Sequence, residues 1–191
     1  MSRNKSIGLL ISISLLLMAF TSCGSTNDKE ELNLNNLLEY GINITNNVFS
    51  PGQVDFYMTV DEIVQAKSLD YKADSKNDIS DKRIINTVNV KDLSDEMTEV
   101  YNFSEGHLIS VEYIIAASDS EQEKICNILY EQAKEHMPAP ATDNLEDIKE
   151  GKDMILWLDE NQNRITLSFP MTNDNEPNAI ILGIYVSKNS N

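Results

Sequence analysis

Cysteine is nearly absent from this chain, with Cys23 and Cys126 the two examples in 191 residues. Positive charge is short as well: 15 Lys and Arg stand against 31 Asp and Glu, a formal charge of −16. No segment supplies a basic patch, and that excludes nucleic acid as a partner, because phosphate binding needs one. There is also no apolar run of membrane-spanning length. The run Ile7 to Phe20 falls short of the roughly 17 to 25 residues that cross a bilayer as a helix, and has the length of a signal-peptide core. Signatures of catalysis and of cofactor binding are missing too: there is no HExxH, CxxC, GxSxG or phosphate-cradling glycine loop. The two histidines, His107 beside a turn and His136 at a helix end, have no local partner for a Ser-His-Asp arrangement, and His136 is accounted for by the negative end of a helix dipole.

What is present begins at the N-terminus. Arg3 and Lys5 precede the apolar run, and Thr21-Ser22 follow it directly before Cys23. The block Leu17-Met18-Ala19-Phe20-Thr21-Ser22-Cys23 resembles the lipobox of bacterial lipoproteins. The resemblance implies a diacylglyceryl group on the Cys23 thiol, cleavage before it by signal peptidase II, and a chain anchored on the extracytoplasmic face of the cell membrane. Residues 1–22 are then signal, and residues 23–191 have the length of one ordinary domain. With Cys23 acylated no intramolecular disulfide can form, so an exported domain must rest on its core alone. Cys126, inside Ile125-Cys126-Asn127-Ile128-Leu129-Tyr130, reads as a small buried hydrophobe.

Residues 23–45 read as a lipidated tether ending in a short helix, with Leu32, Leu34, Leu37, Leu38 and Tyr40 stopped by Gly41. Gly24 to Glu31 is small, polar and charged, and a flexible linker of this length reaches on the order of 15 Å. Pro51-Gly52 marks a turn. Thr59-Val60-Asp61-Glu62 has the form of a capping box, with Met58 and Ile63 at the positions of a hydrophobic staple. This predicts a helix from Val60 to about Leu69 that buries Val60, Ile63 and Val64.

From Lys82 the period becomes alternating. Ile84, Val88 and Val90 line one side of a first strand, and Tyr101 and Phe103 one side of a second. Ser104-Glu105-Gly106 is a hairpin turn. A third strand sets Ile109, Val111, Tyr113 and Ile115 against Ser110, Glu112 and Ile114. A helical period returns from Ser118 to Met137, with a stripe of Ile125, Cys126, Leu129, Ala133 and Met137, and Pro138 stops it. After an acidic connection, three strands follow: Met154 to Leu158, Arg164 to Phe169 and Ala179 to Val186.

The predicted class is therefore α+β. Within a single domain, 46–191, two helix-plus-three-strand units lie in tandem, about 51–116 and 118–187, and form antiparallel sheet covered by helices. The pattern permits one continuous sheet or two. Phe49, Gly52 and Met58-Thr59-Val60-Asp61-Glu62-Ile63 are similar to the opening of small envelope lipoproteins of the BamE and beta-lactamase-inhibitor-protein type. There a glycine and a Met-Thr-x-x-Glu-Val phrase begin a helix ahead of an antiparallel sheet. This resemblance implies a module that binds or scaffolds envelope proteins, and it carries no catalytic residue across.

Asp159, Asn161 and Asn163 reproduce the first ligands of a calcium loop. That loop needs glycine next and glutamate at its twelfth place, where Arg164 and Pro170 stand, so a polar turn between strands is the preferred reading. Asn173 to Glu176 reads as another turn, and the carboxylates from Asp143 to Asp153 as a solvated acidic loop. Trp157, Tyr113 and Tyr185 are set in strand patterns as core anchors rather than as a ligand groove. The functional expectation is a membrane-anchored, non-catalytic module that binds an envelope protein and uses no cofactor. A small-molecule or cation-binding lipoprotein is the alternative, and a hydrolase the third.

Overall fold

Periodicity becomes structure in the order α1 (Leu37–Gly41), β1 (Ile42–Thr45), β2 (Val48–Pro51), α2 (Val60–Ala66), β3 (Asp78–Ile79), β4 (Arg83–Val88), β5 (Met97–Ser104), β6 (His107–Ala116), α3 (Asp119–His136), β7 (Met154–Leu158), β8 (Arg164–Ser168) and β9 (Ala179–Tyr185). The structure is a computed structural model, and it describes residues 31–69, 78–79, 82–142, 154–168 and 179–187. The fold is α+β. β1 and β2 make a small hairpin, and the other strands form one antiparallel sheet in the order β3-β4-β5-β6-β9-β8-β7. Each unit is a meander, and their last strands, β6 and β9, pair from Ser110↔Tyr185 to Ala116↔Ala179. The two units thus share one continuous sheet.

Both longer helices start where their caps place them. The Thr59 hydroxyl accepts from the Glu62 N–H at 3.4 Å, and the Glu62 carboxylate accepts from the Thr59 N–H at 2.8 Å. This reciprocal pair satisfies two of the donors that a helix start leaves open. At α3 the Glu121 carboxylate accepts from the Ser118 N–H at 3.2 Å and hydroxyl at 2.6 Å. α2 ends at Ala66, earlier than the predicted Leu69, because Ser68 takes a φ of 53° that the helix cannot continue through. Ile63 and Val64 are buried, whereas Val60 only packs at the edge of the core.

Strand register assigns the faces. One face carries Ile84, Met97, Tyr101, Val111, Tyr113 and Leu182, and the buried residues of α1, α2 and α3 join these in a single apolar cluster. The predicted α3 stripe of Ile125, Cys126, Leu129, Ala133 and Met137 is buried in full. α1 and β1, which the spacing predicts as the end of the tether, also pack into this cluster through Leu34, Leu37, Leu38 and Ile42. Burying each such side chain contributes about 1.5 to 3 kcal/mol.

Two local departures have physical causes. The alternation predicts Ile109 on the core face, but a bulge between Asn102 and Phe103 skips it, so Leu108 pairs with Phe103 and is buried instead. The β1–β2 hairpin is not predicted at all. It turns on Asn46 and Asn47, with φ of 53° and 61°, the conformation that asparagine tolerates and a two-residue hairpin turn requires. The predicted turn at Glu105-Gly106 has the same form, with φ of 53° and 80°. Gly52 lies so close to the carbonyls of Glu39 and Tyr40 that no Cβ fits there, and its N–H donates to the Gly41 carbonyl at 2.9 Å.

Candidate functional site

Cys23, the proposed lipidation site, lies outside the described residues, as do residues 24–30, 143–153 and 169–178. Among the described residues no helix is long and apolar enough to cross a membrane.

Asp159, Asn161 and Asn163 come together at the β7–β8 turn. Asp159 and Asn163 are buried. The Asp159 carboxylate accepts four N–H groups. Oδ1 takes the backbone of Asn161 and of Asn163, both at 2.8 Å, and Oδ2 takes the Phe49 backbone at 2.8 Å and the Asn163 amide at 2.9 Å. Asn163 Oδ1 in turn accepts from the Ser187 N–H at 3.0 Å. These residues make a polar knot that ties the β1–β2 hairpin to the turn and to the end of β9. Donors occupy the lone-pair directions a cation would use. Gln162, at φ 64°, completes the turn.

A second buried carboxylate has no counterpart among the sequence candidates. Glu99 sits on the core face of β5, fully buried, in phase with Met97 and Tyr101. Its Oε1 accepts from the Tyr40 hydroxyl at 2.6 Å and Lys67 Nζ at 3.0 Å, and its Oε2 from Asn86 Nδ2 at 2.6 Å and the Tyr101 hydroxyl at 3.0 Å. Lys67 Nζ also donates to the Tyr40 hydroxyl at 2.8 Å and lies 5.0 Å from that ring's centre. Burial first, and the Glu99 charge second, push the Tyr40, Tyr101 and Tyr113 hydroxyls well above their ordinary range. All of them are held protonated as donors. The cluster joins α1, α2, β4 and β5, and it offers no open coordination position to a substrate.

Trp157 and Tyr113 are core residues, 1% exposed each. The Tyr113 hydroxyl donates to the Gly41 carbonyl at 3.1 Å, while the Trp157 indole N–H has no partner among the described residues. Tyr185 departs from the core reading, because its register puts it on the opposite face of the sheet. There it folds over Gly183, where an added Cβ would meet the ring at 2.5 Å. Its hydroxyl donates to Glu112 at 3.1 Å, and the Arg164 guanidinium lies 5.4 Å from the ring centre. Burial first and the Glu112 charge second push that hydroxyl up to about 12.

Among the described residues, the buried side chains of all three helices join the core cluster, and none packs on that opposite face. Its residues form rows across the strands. One row runs Leu156, Thr166, Gly183, Glu112, Val100, Ile85, and the next runs Met154, Ser168, Ile181, Ile114, Thr98, Thr87. None of the apolar members joins the core cluster. Most are half-buried, and Met154 is 45% exposed. A separate groove of about 390 Å³ lies among α1, β1 and the end of α3, lined by Leu38, Ile42, Ile44, Glu39, Asn43 and His136. His136 faces Glu135 at 4.0 Å, and His107 Nδ1 lies 3.0 Å from the Glu105 carbonyl. Cys126 is buried in α3. Among the described residues no group of three or more His, Cys, Asp or Glu side chains is placed to hold a metal ion.

The sequence cannot show this face directly, because register decides which residues share it. The alternations of Ser110, Glu112 and Ile114 against Val111, Tyr113 and Ile115, and of Arg164, Thr166 and Ser168 against Ile165 and Leu167, are its legible traces. Comparison with family models, curated proteins and solved structures returns no match to this chain.

Proposed function

We propose that this protein is a lipid-anchored, extracytoplasmic binding module, held to the membrane through Cys23, that engages another envelope protein through the open face of its seven-stranded sheet. The observation that carries this is the one-sided build of the sheet. All three described helices cover one face, while the other presents half-buried Ile and Leu side chains interleaved with Thr, Ser and Asn. A face of this size with few charges and mixed apolar and hydroxyl groups has the composition of the centre of a protein interface. The similarity of residues 49–63 to envelope modules of the BamE and beta-lactamase-inhibitor-protein type supports the same reading, since here too the Met58 to Ile63 phrase opens a helix ahead of an antiparallel sheet. The two buried carboxylates act as structural ties, and the function is one of binding.

Photo-crosslinking in native membranes tests this. A benzoylphenylalanine at Ile114 or Thr166, on the open face, is expected to give a discrete crosslinked species that the same probe at Glu131, on the exposed side of α3, does not. Equal crosslinking from both faces, or from neither, contradicts the proposal. The groove beside His136 supports a second reading, capture of a small molecule. Its expected signature is a ligand-dependent rise in Tm that Ile42→Trp removes.

A further inference from the structure

The groove among α1, β1 and the end of α3 differs in character from the open sheet face. Its floor is aliphatic, with Leu38 and Ile42 buried and Ile44 half-buried, and the other side chains that line it, Glu39, Asn43 and His136, are exposed. Gly52 adds bare backbone to the wall. Glu39 is the one carboxylate of the lining, and no Lys, Arg or aromatic side chain belongs to it. Among the described residues the Glu39 carboxylate makes no ion pair or hydrogen bond. His136 is the only lining group that can become positive, and the Glu135 carboxylate 4.0 Å from its ring offsets that charge. The result is an apolar trough with one unpaired negative charge, in a chain of 31 acidic and 15 basic residues.

We infer that this groove binds a small aliphatic primary amine, its ammonium held by the Glu39 carboxylate and its alkyl stem laid over Leu38, Ile42 and Ile44. This rests on the groove being a small-molecule site and names the class of molecule it takes. Each part of the lining narrows the choice. A volume of about 390 Å³ lies at the lower end of the roughly 300 to 1,000 Å³ that ligand sites span, which favours a small molecule over a chain segment. An anion would face Glu39 with no Lys or Arg to pair with. A metal ion needs several converging donors, and among the described residues no group of three or more His, Cys, Asp or Glu is placed to supply them. A quaternary ammonium is recognised by aromatic cages, and no aromatic ring lines this groove. A primary ammonium carries three N–H donors, which suits the Glu39 carboxylate together with Asn43 Oδ1. That oxygen takes one donor, the Thr45 hydroxyl at 3.3 Å, and keeps a second lone pair. The aliphatic floor then adds up to about fourfold in affinity for each methylene of the stem it covers.

The test is a methyl NMR titration of the full chain in nanodiscs with three probes of one length: hexylamine, hexanol and hexanoate. Hexylamine is expected to shift the Ile42 and Ile44 methyls saturably, hexanol to bind roughly fivefold more weakly, and hexanoate to leave them unmoved. Butylamine is expected to bind more weakly than hexylamine, by up to about fourfold per methylene lost. E39Q should bring hexylamine down to the level of hexanol, and E39K should make hexanoate the preferred probe. Glu39 is exposed, and circular dichroism checks that both variants fold. Hexanol or hexanoate binding as tightly as hexylamine, or an amine preference that survives in E39Q, overturns the inference and leaves the groove a small-molecule site of another class. If no probe shifts these methyls, the inference and the small-molecule reading both fall.

Discussion

Asp159 and Glu99 show how differently two acidic side chains can be used within one core. Each is buried with four donors, but Asp159 gathers mostly backbone N–H groups and Glu99 only side chains. Asp159→Ala leaves the Phe49 and Asn163 backbone donors without an acceptor in a buried site. It is expected to lower stability by about 2 to 4 kcal/mol in urea titrations. Because Asp159 is already saturated with donors, calcium is expected to leave Tm unchanged, and a clear rise would contradict that assignment. Glu99→Gln strands the Lys67 charge, which is 10% exposed, and is expected to cost about 3 to 5 kcal/mol. Replacing Glu99 and Lys67 together by Gln and Met should cost less than Glu99→Gln alone. The phase of Glu99 with Met97, Tyr101 and Phe103 was visible in the sequence. Its donors were not, since Tyr40 and Lys67 reach it from α1 and from the end of α2, and no local spacing announces such long-range partners. The tyrosines around it also set an alkaline limit. Their hydroxyls ionise near 10.0 once unfolded but stay protonated in the fold, so stability is intact below that value and is lost as pH rises through and above it. Denaturation midpoints between pH 8 and 12 check this.

At the scale of elements, helix starts and strands were legible because their causes are local. The Thr59 capping box, the helical period after Ser118 and a period-2 alternation are each set by neighbouring residues, and the six long strands fall within about two residues of where alternation places them, except at the start of β5. What escaped depends on single turn residues or on pairing: the Asn46-Asn47 hairpin, the bulge at Ile109, and the rows that run across the strands from Leu156 to Ile85 and from Met154 to Thr87. The caps also make a prediction about acid. Glu62 is held below its ordinary range first by the Thr59 backbone N–H, and Glu121 first by the Ser118 hydroxyl. A depressed carboxylate contributes stability above its unfolded value, 4.5, and that contribution disappears as pH falls through the lower folded value. Thr59→Ala is expected to cost about 1 kcal/mol. It should also raise amide exchange through α2, with little change in α3.

For the whole molecule, the β6–β9 seam makes the two units one sheet over one core. Trp157, the single tryptophan, reports on the second unit, and far-ultraviolet circular dichroism reports on the helices of both. Their urea transitions are expected to coincide, and separate midpoints would mean that the units unfold independently. The same continuity leaves a broad face that none of the described helices covers, and the functional account depends on that face being occupied in the membrane. Hydroxyl-radical footprinting compares the purified chain with the chain in native membranes and reads this directly. Met154, Leu156, Ile181 and Tyr185 are expected to lose labelling in membranes while Ile128 and Tyr130 on α3 keep theirs; unchanged labelling of the open face, or protection confined to α3, would contradict the account.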